Sequence, residues 1–98
     1  MPANPLAFSP ASLDEEVRYH IAWMTGFRFQ PGELRPTHRL EEDLRLTAYQ
    51  RRALRDSFLY SARKRNPQAV ISPSACEKLK KVKDALELVR KASQLSSR

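Results

Sequence analysis

The chain has 98 residues, 41% hydrophobic and 30% charged, with a formal net charge of +7 and a pI near 10.1. A chain of this length holds one domain with one modest core, and its lone Cys76 excludes an internal disulfide and a thiolate metal site. No run of about 18 apolar residues is present to form a membrane-spanning helix, and the surplus of cations points to nucleic acid, anionic membrane surfaces or acidic protein patches as partners.

Two glycines and long stretches of mixed charged and apolar residues argue for an all-α fold. Pro2, Pro5 and Pro10 oppose helix at the start of the sequence, so residues 1–11 are expected to form a flexible arm. Those residues show no basic region followed by an apolar segment, and a soluble cytoplasmic protein is the expectation. Ser12-Leu13-Asp14-Glu15 fits a capping box and opens a helix predicted over 13–25. Val17, Ile21, Trp23 and Met24 form its apolar face, and Gly26 is its stop.

The next segment, 27–46, contains Pro31, Gly32 and Pro36 and reads as irregular, yet it carries Phe27, Phe29, Leu34, Leu40 and Leu44, which favour burial. Thr47-Ala48-Tyr49-Gln50 is a second capping box, opening a helix over 48–65. Tyr49, Ala53, Leu54, Phe58, Leu59 and Ala62 recur near helical spacing there. The cations Arg51, Arg52, Arg55, Arg63, Lys64 and Arg65 occupy much of the remainder, with Asp56 the single acid. Asn66-Pro67 ends the helix. Ser72-Pro73 supplies an N-cap and a first-turn proline for a short third helix over 73–80, burying Cys76 and Leu79. Val82, Ala85, Leu86, Val89 and Ala92 make the clearest apolar stripe, on a helix over 82–92, and the tail 93–98 is expected to fray.

Within this order, Arg39-Leu40-Glu41-Glu42-Asp43-Leu44-Arg45-Leu46-Thr47-Ala48-Tyr49-Gln50 resembles the approach to the cofactor-bearing helix of acyl carrier proteins. The family pattern there is Glu, Asp-Leu-Gly, a hydrophobic residue, then Asp-Ser-Leu-Asp. Ala69-Val70-Ile71-Ser72-Pro73 and Leu79-Lys80-Lys81-Val82-Lys83-Asp84-Ala85 resemble the approaches to the family's third and fourth helices. The resemblance covers residues 12–92 and implies an acyl-carrier-like four-helix bundle with a long first loop and a short third helix. It departs from the family at two places. Arg45 stands for the glycine, and Ala48 stands where the serine would carry phosphopantetheine, so no hydroxyl is present there to esterify. Charge departs as well, since the family is acidic and docks through an acidic second helix.

Asp56-Ser57-Phe58 resembles the attachment tripeptide, which makes Ser57 the alternative modification site. It lies some two and a half turns inside the predicted helix, whereas a phosphodiester is favoured at an exposed helix N-terminus. His20 and His38 have no companion nucleophile or carboxylate at recognisable spacing. The acidic groups Glu15-Glu16, Glu41-Glu42-Asp43 and Glu87 match the ordinary preference of carboxylates for helix starts and caps. Cys76 and the aromatic set Trp23, Phe27, Phe29, Tyr49 and Phe58 read as core. No catalytic constellation, metal site or cofactor is expected, and an enzyme is the class least favoured.

The preferred reading is a carrier-like protein without phosphopantetheine that binds the acidic surface of a protein partner. Arg51, Arg52, Arg55, Arg63, Lys64 and Arg65 are the candidate contacts, and Lys78, Lys80, Lys81 and Lys83 follow nearby. One alternative is a genuine carrier modified at another serine, with phosphopantetheine as cofactor. A second is a small basic nucleic-acid-binding helical protein, although no helix-turn-helix, RNA-recognition or zinc-finger pattern is present.

Overall fold

The structure, a computed structural model, describes residues 12–94. The expected N-terminal arm and residues 95–98 lie outside the described residues. Among the described residues four α-helices and one short 3-10 turn carry the chain: α1 (Leu13–Met24), the 3-10 turn (Pro31–Glu33), α2 (Ala48–Arg65), α3 (Pro73–Glu77) and α4 (Val82–Ser93). The all-α expectation holds. No helix among these residues is long and apolar enough to cross a membrane.

The starts of α1, α2 and α3 are specified locally. The Ser12 hydroxyl accepts the Glu15 N–H at 3.1 Å while the Glu15 carboxylate accepts the Ser12 N–H at 2.9 Å. Thr47 and Gln50 repeat the arrangement at 3.1 and 2.9 Å, and the Ser72 hydroxyl accepts the Ala75 N–H at 3.1 Å. These contacts satisfy backbone donors that no helical carbonyl can reach. At the other end of α1, Gly26 and Phe27 both take positive φ. The Phe27 N–H reaches Ala22 O and the Gly26 N–H reaches Trp23 O, each at 2.9 Å, the paired bonds of a Schellman stop.

The long segment between α1 and α2 is held by its leucines and by backbone bonds. Leu34, Leu40, Leu44 and Leu46 are buried with Val17, Ile21, Leu54, Phe58, Ile71, Val82 and Val89 in one core. Arg39 and Lys81 form an isolated antiparallel bridge, and the Leu40 N–H donates to Lys80 O at 2.8 Å. The first two N–H groups of α4, on Val82 and Lys83, donate to His38 O and Pro36 O at 3.0 Å each. The loop thus supplies carbonyls to a helix start that has no side-chain cap from its own N-cap, Lys81. This pairing explains why α3 ends at Glu77 and not at 80 as predicted: the following residues leave the helix to pair with 38–40. At the far end, the Asn66 side-chain amide donates to Ala92 O at 3.1 Å and Gln94 O at 3.0 Å, tying the ends of α2 and α4 together. α4 itself continues to Ser93, whose hydroxyl donates to Arg90 O at 2.9 Å, one residue beyond the end at 92 that the sequence predicts.

Three residues assigned to apolar faces lie outside the core. Trp23 is 60% exposed and Tyr49 80% exposed, and Ala53 is exposed as well. Phe27 is also partly exposed, at 38%. On α2 the buried stripe is Leu54, Phe58, Ser61 and Ala62 with Leu59, so a polar residue takes a core position that the sequence pattern gave to its apolar neighbours.

Just before α2, residues 39–46 make one tight turn, with the Arg45 N–H on Glu41 O at 3.1 Å and the Leu46 N–H on Leu40 O at 2.9 Å. Arg45 takes φ +63 there, a left-handed conformation that costs a side-chain-bearing residue roughly 1 kcal/mol and glycine nothing. Its side chain is exposed and has no hydrogen-bond or ionic partner among the described residues. Arg45→Gly is therefore expected to stabilise the fold by about 0.5–1 kcal/mol, read as a higher urea midpoint at unchanged m-value.

Candidate functional site

The site singled out by sequence is the first turn of α2 with the loop that feeds it. Thr47 is the N-cap and Ala48 the first helical residue, and both are exposed. Tyr49 follows with its ring in solvent. The position that faces outward at the helix start is thus occupied by a methyl group. Ser57, the alternative modification site, is half-buried near the middle of the 18-residue α2, where its neighbouring backbone N–H groups are already consumed within the helix.

The six cations of α2 do not stand as one free patch. Arg51 is largely enclosed, its side chain 11% exposed. Its guanidinium donates to Leu46 O at 2.7 Å and Glu77 O at 3.0 Å, with the Glu41 carboxylate 3.8 Å away. One planar fork therefore joins the end of the loop, α2 and the end of α3, which suits arginine and not lysine. Arg52 pairs with Glu77 at 2.9 Å. Arg55 donates to Ile71 O at 3.0 Å and also meets Asp56 at 3.0 Å. Arg63 donates to Ala69 O at 3.1 Å. These side chains close the α2–α3 connection onto α2 by satisfying its carbonyls.

Lys64 and Arg65 converge on Glu16 of α1, each at 3.1 Å, and the Arg65 guanidinium also donates to Ser61 O at 3.0 Å. Partial burial on its own would raise the Glu16 carboxyl. Hydrogen bonds from Arg65, Ser61 and Lys64, with the charge of Arg65, outweigh that and hold it down at about 2. Lys64 also lies over the Tyr60 ring, 5.4 Å from its centroid. Glu16 and Ser61 carry no signal in the sequence beyond an acid in a first turn and a serine in a helix; only the packing of α1 on α2 unites them.

Comparisons with family models, with curated proteins and with solved structures returned no match.

The arrangement of Glu16, Ser61 and His20 superficially suggests a nucleophile with its base. His20 Nε2 lies 2.7 Å from Ser61 Oγ. Ser61 is fully buried, and among the described residues no carboxylate hydrogen-bonds the far ring nitrogen of His20, where an orienting acid would sit. Burial pushes the His20 imidazole below its usual value, against the pull of Glu16. The trio satisfies polar atoms in the α1–α2 seam. His38 is likewise committed, its Nδ1 accepting the Arg35 N–H at 2.9 Å. Cys76 is buried and free, its thiol pushed up to about 11 by desolvation against a small opposing effect of Arg55, which keeps it a poor nucleophile. Asp43 sits lower than usual because the Arg39 N–H donates to it at 2.8 Å. Among the described residues, no three histidine, cysteine or acidic side chains gather closely enough to hold a metal ion.

Cations with no intramolecular partner lie elsewhere. Arg45, Lys78, Lys80 and Lys83 are all exposed, and none makes a side-chain hydrogen bond or ion pair among the described residues. They lie on the loop turn before α2, on the α3–α4 connection and in the first turn of α4; Arg35 and Arg90 are likewise exposed and make no side-chain hydrogen bond or ion pair among the described residues.

Proposed function

We propose that this chain is an acyl-carrier-like helical protein without phosphopantetheine that works as a protein-interaction module for an acidic partner. The observation that carries the reading is Ala48: the helix start retains its capping box and its exposure, and the residue in the attachment position has no atom to which an arm could be joined. Further support comes from Arg45, which stands where the family has glycine and takes the left-handed conformation that glycine favours. The long leucine-anchored loop, the short third helix and the element order agree with the same reading. The surface offered to the partner is the exposed first turn of α2 with the end of the preceding loop. The protein is not itself a catalyst in this reading.

Intact mass before and after incubation with coenzyme A and a broad-specificity phosphopantetheinyl transferase tests it. The expected result is no added mass. A gain that disappears in Ser57→Ala would replace this reading with that of a working carrier whose site has moved.

A further inference from the structure

Among the α2 cations, Arg51, Arg55 and Arg63 are committed to backbone carbonyls, Arg52 to Glu77, and Lys64 and Arg65 to Glu16. Cations with no partner inside the fold lie on another part of the surface. Resting on the interaction-module reading above, we propose that the partner's acidic segment docks on Arg45, Lys78, Lys80 and Lys83, at the end of the bundle where the long loop crosses the α3–α4 connection, with Tyr49 as the aromatic contact beside them.

Backbone bonds place these residues together. The Arg51 guanidinium joins Leu46 O to Glu77 O, the immediate neighbours of Arg45 and Lys78. Lys80 O accepts the Leu40 N–H, Leu40 O accepts the Leu46 N–H, and the Lys83 N–H donates to Pro36 O. The turn carrying Arg45 is thus stitched to the segment carrying the lysines. The carboxylates of the same region are already engaged: Glu41 with Arg51, Glu42 and Asp43 with Arg39, Glu77 with Arg52, and Asp84 with the Lys81 N–H. Arg45, Lys78, Lys80 and Lys83 are therefore left without a paired carboxylate of their own, and Tyr49, at 80% exposure, is a large apolar group with no cover. Unpaired cations steer and orient an acidic partner, and tyrosine is among the residues enriched where partners meet.

The local charge pattern favours an acidic protein segment over a nucleic-acid strand. Glu41, Glu42 and Asp43 lie beside the lysines and are themselves exposed. A phosphate backbone running across this end would carry its charges past that acidic tripeptide, whereas a peptide carries acidic groups only at chosen positions. Tyr49 is also a lone ring, not a series of stacking platforms.

Binding of the full chain to a fluorescein-labelled peptide whose glutamates are spaced by glycine and serine and to a labelled oligothymidylate of matched charge, followed by anisotropy at low salt, tests the proposal. Two variants remove the same number of charges: Lys78→Gln/Lys80→Gln/Lys83→Gln, and Arg55→Gln/Arg63→Gln/Lys64→Gln on α2. Circular dichroism and urea midpoints establish that both are folded. The expected result is peptide binding weakened about tenfold by the lysine variant and by less than about threefold by the α2 variant. Equal weakening by both would mean that the peptide senses net charge alone, and would overturn the proposal. So would tighter binding of oligothymidylate than of the glutamate peptide, or no binding of the peptide. The mass assay reads cargo and these titrations read the place of contact, so failure of either idea is distinguishable from failure of the other.

Discussion

Phe58→Ala should lower the unfolding free energy by about 3–5 kcal/mol. Phe58 is fully buried at the centre of α2's inward face, and its ring lies 6.3 Å from the His20 ring of α1, tilted by 54°. Its loss removes the transfer energy of an aromatic side chain and leaves a cavity in the one core cluster, to which α1, the long loop and α4 all contribute residues. A domain of this size has about 5–15 kcal/mol in total, so the variant should sit near its folding threshold. Phe58→Leu, which keeps most of the volume, should cost far less, under about 1.5 kcal/mol. Urea titrations of the three proteins with a common m-value provide the check. A loss under about 1 kcal/mol for Phe58→Ala would mean that α2 is not the element around which the others pack.

The starts of α1, α2 and α3 were legible because each depends on residues three positions apart, and the Ser12, Thr47 and Ser72 hydroxyls accept the bonds their positions imply. α4 was legible because Val82, Ala85, Leu86 and Val89 all face one way. α2 was less so. Tyr49 and Ala53 share the helical spacing of Leu54 and Phe58 but fall outside the buried stripe, and Ser61 falls inside it because His20 and Glu16 on another helix satisfy its hydroxyl. No pattern within α2 contains that information. The arginines show the same limit in reverse. Their charge was visible, but the carbonyls that Arg51, Arg55 and Arg63 reach belong to Leu46, Glu77, Ile71 and Ala69, and only the folded connections bring those groups within range. Charge density in a sequence reports how many cations exist, whereas a docking surface depends on which of them the fold leaves unused.

Glu16 should govern acid stability for the same reason that it was hard to find. Its carboxyl titrates at about 2 in the folded protein against an ordinary value of 4.5. Between those values the unfolded chain takes up a proton that the folded chain refuses, and the folded state loses ground as pH falls. The contribution is fully present above about pH 4.5 and vanishes towards pH 2. With 13% of the side chain still exposed to screening solvent, it is worth about 2 kcal/mol. His20 adds an earlier component of the same sign: burial lowers its folded value below 6.5, so the unfolded imidazole protonates first and stability starts to decline as pH drops below about 6.5. Glu16→Gln is expected to cost about 2 kcal/mol at pH 7, because Lys64 and Arg65 lose their carboxylate in the α1–α2 seam. The difference between wild type and variant should then close as pH is lowered from about 4.5 towards 2, which urea midpoints measured at a series of pH values will show. A gap that stays constant down to pH 2 would mean that Glu16 acts by packing alone. It would also remove the charge-based account of how Lys64 and Arg65 are held, and would return those two cations to the surface available for a partner.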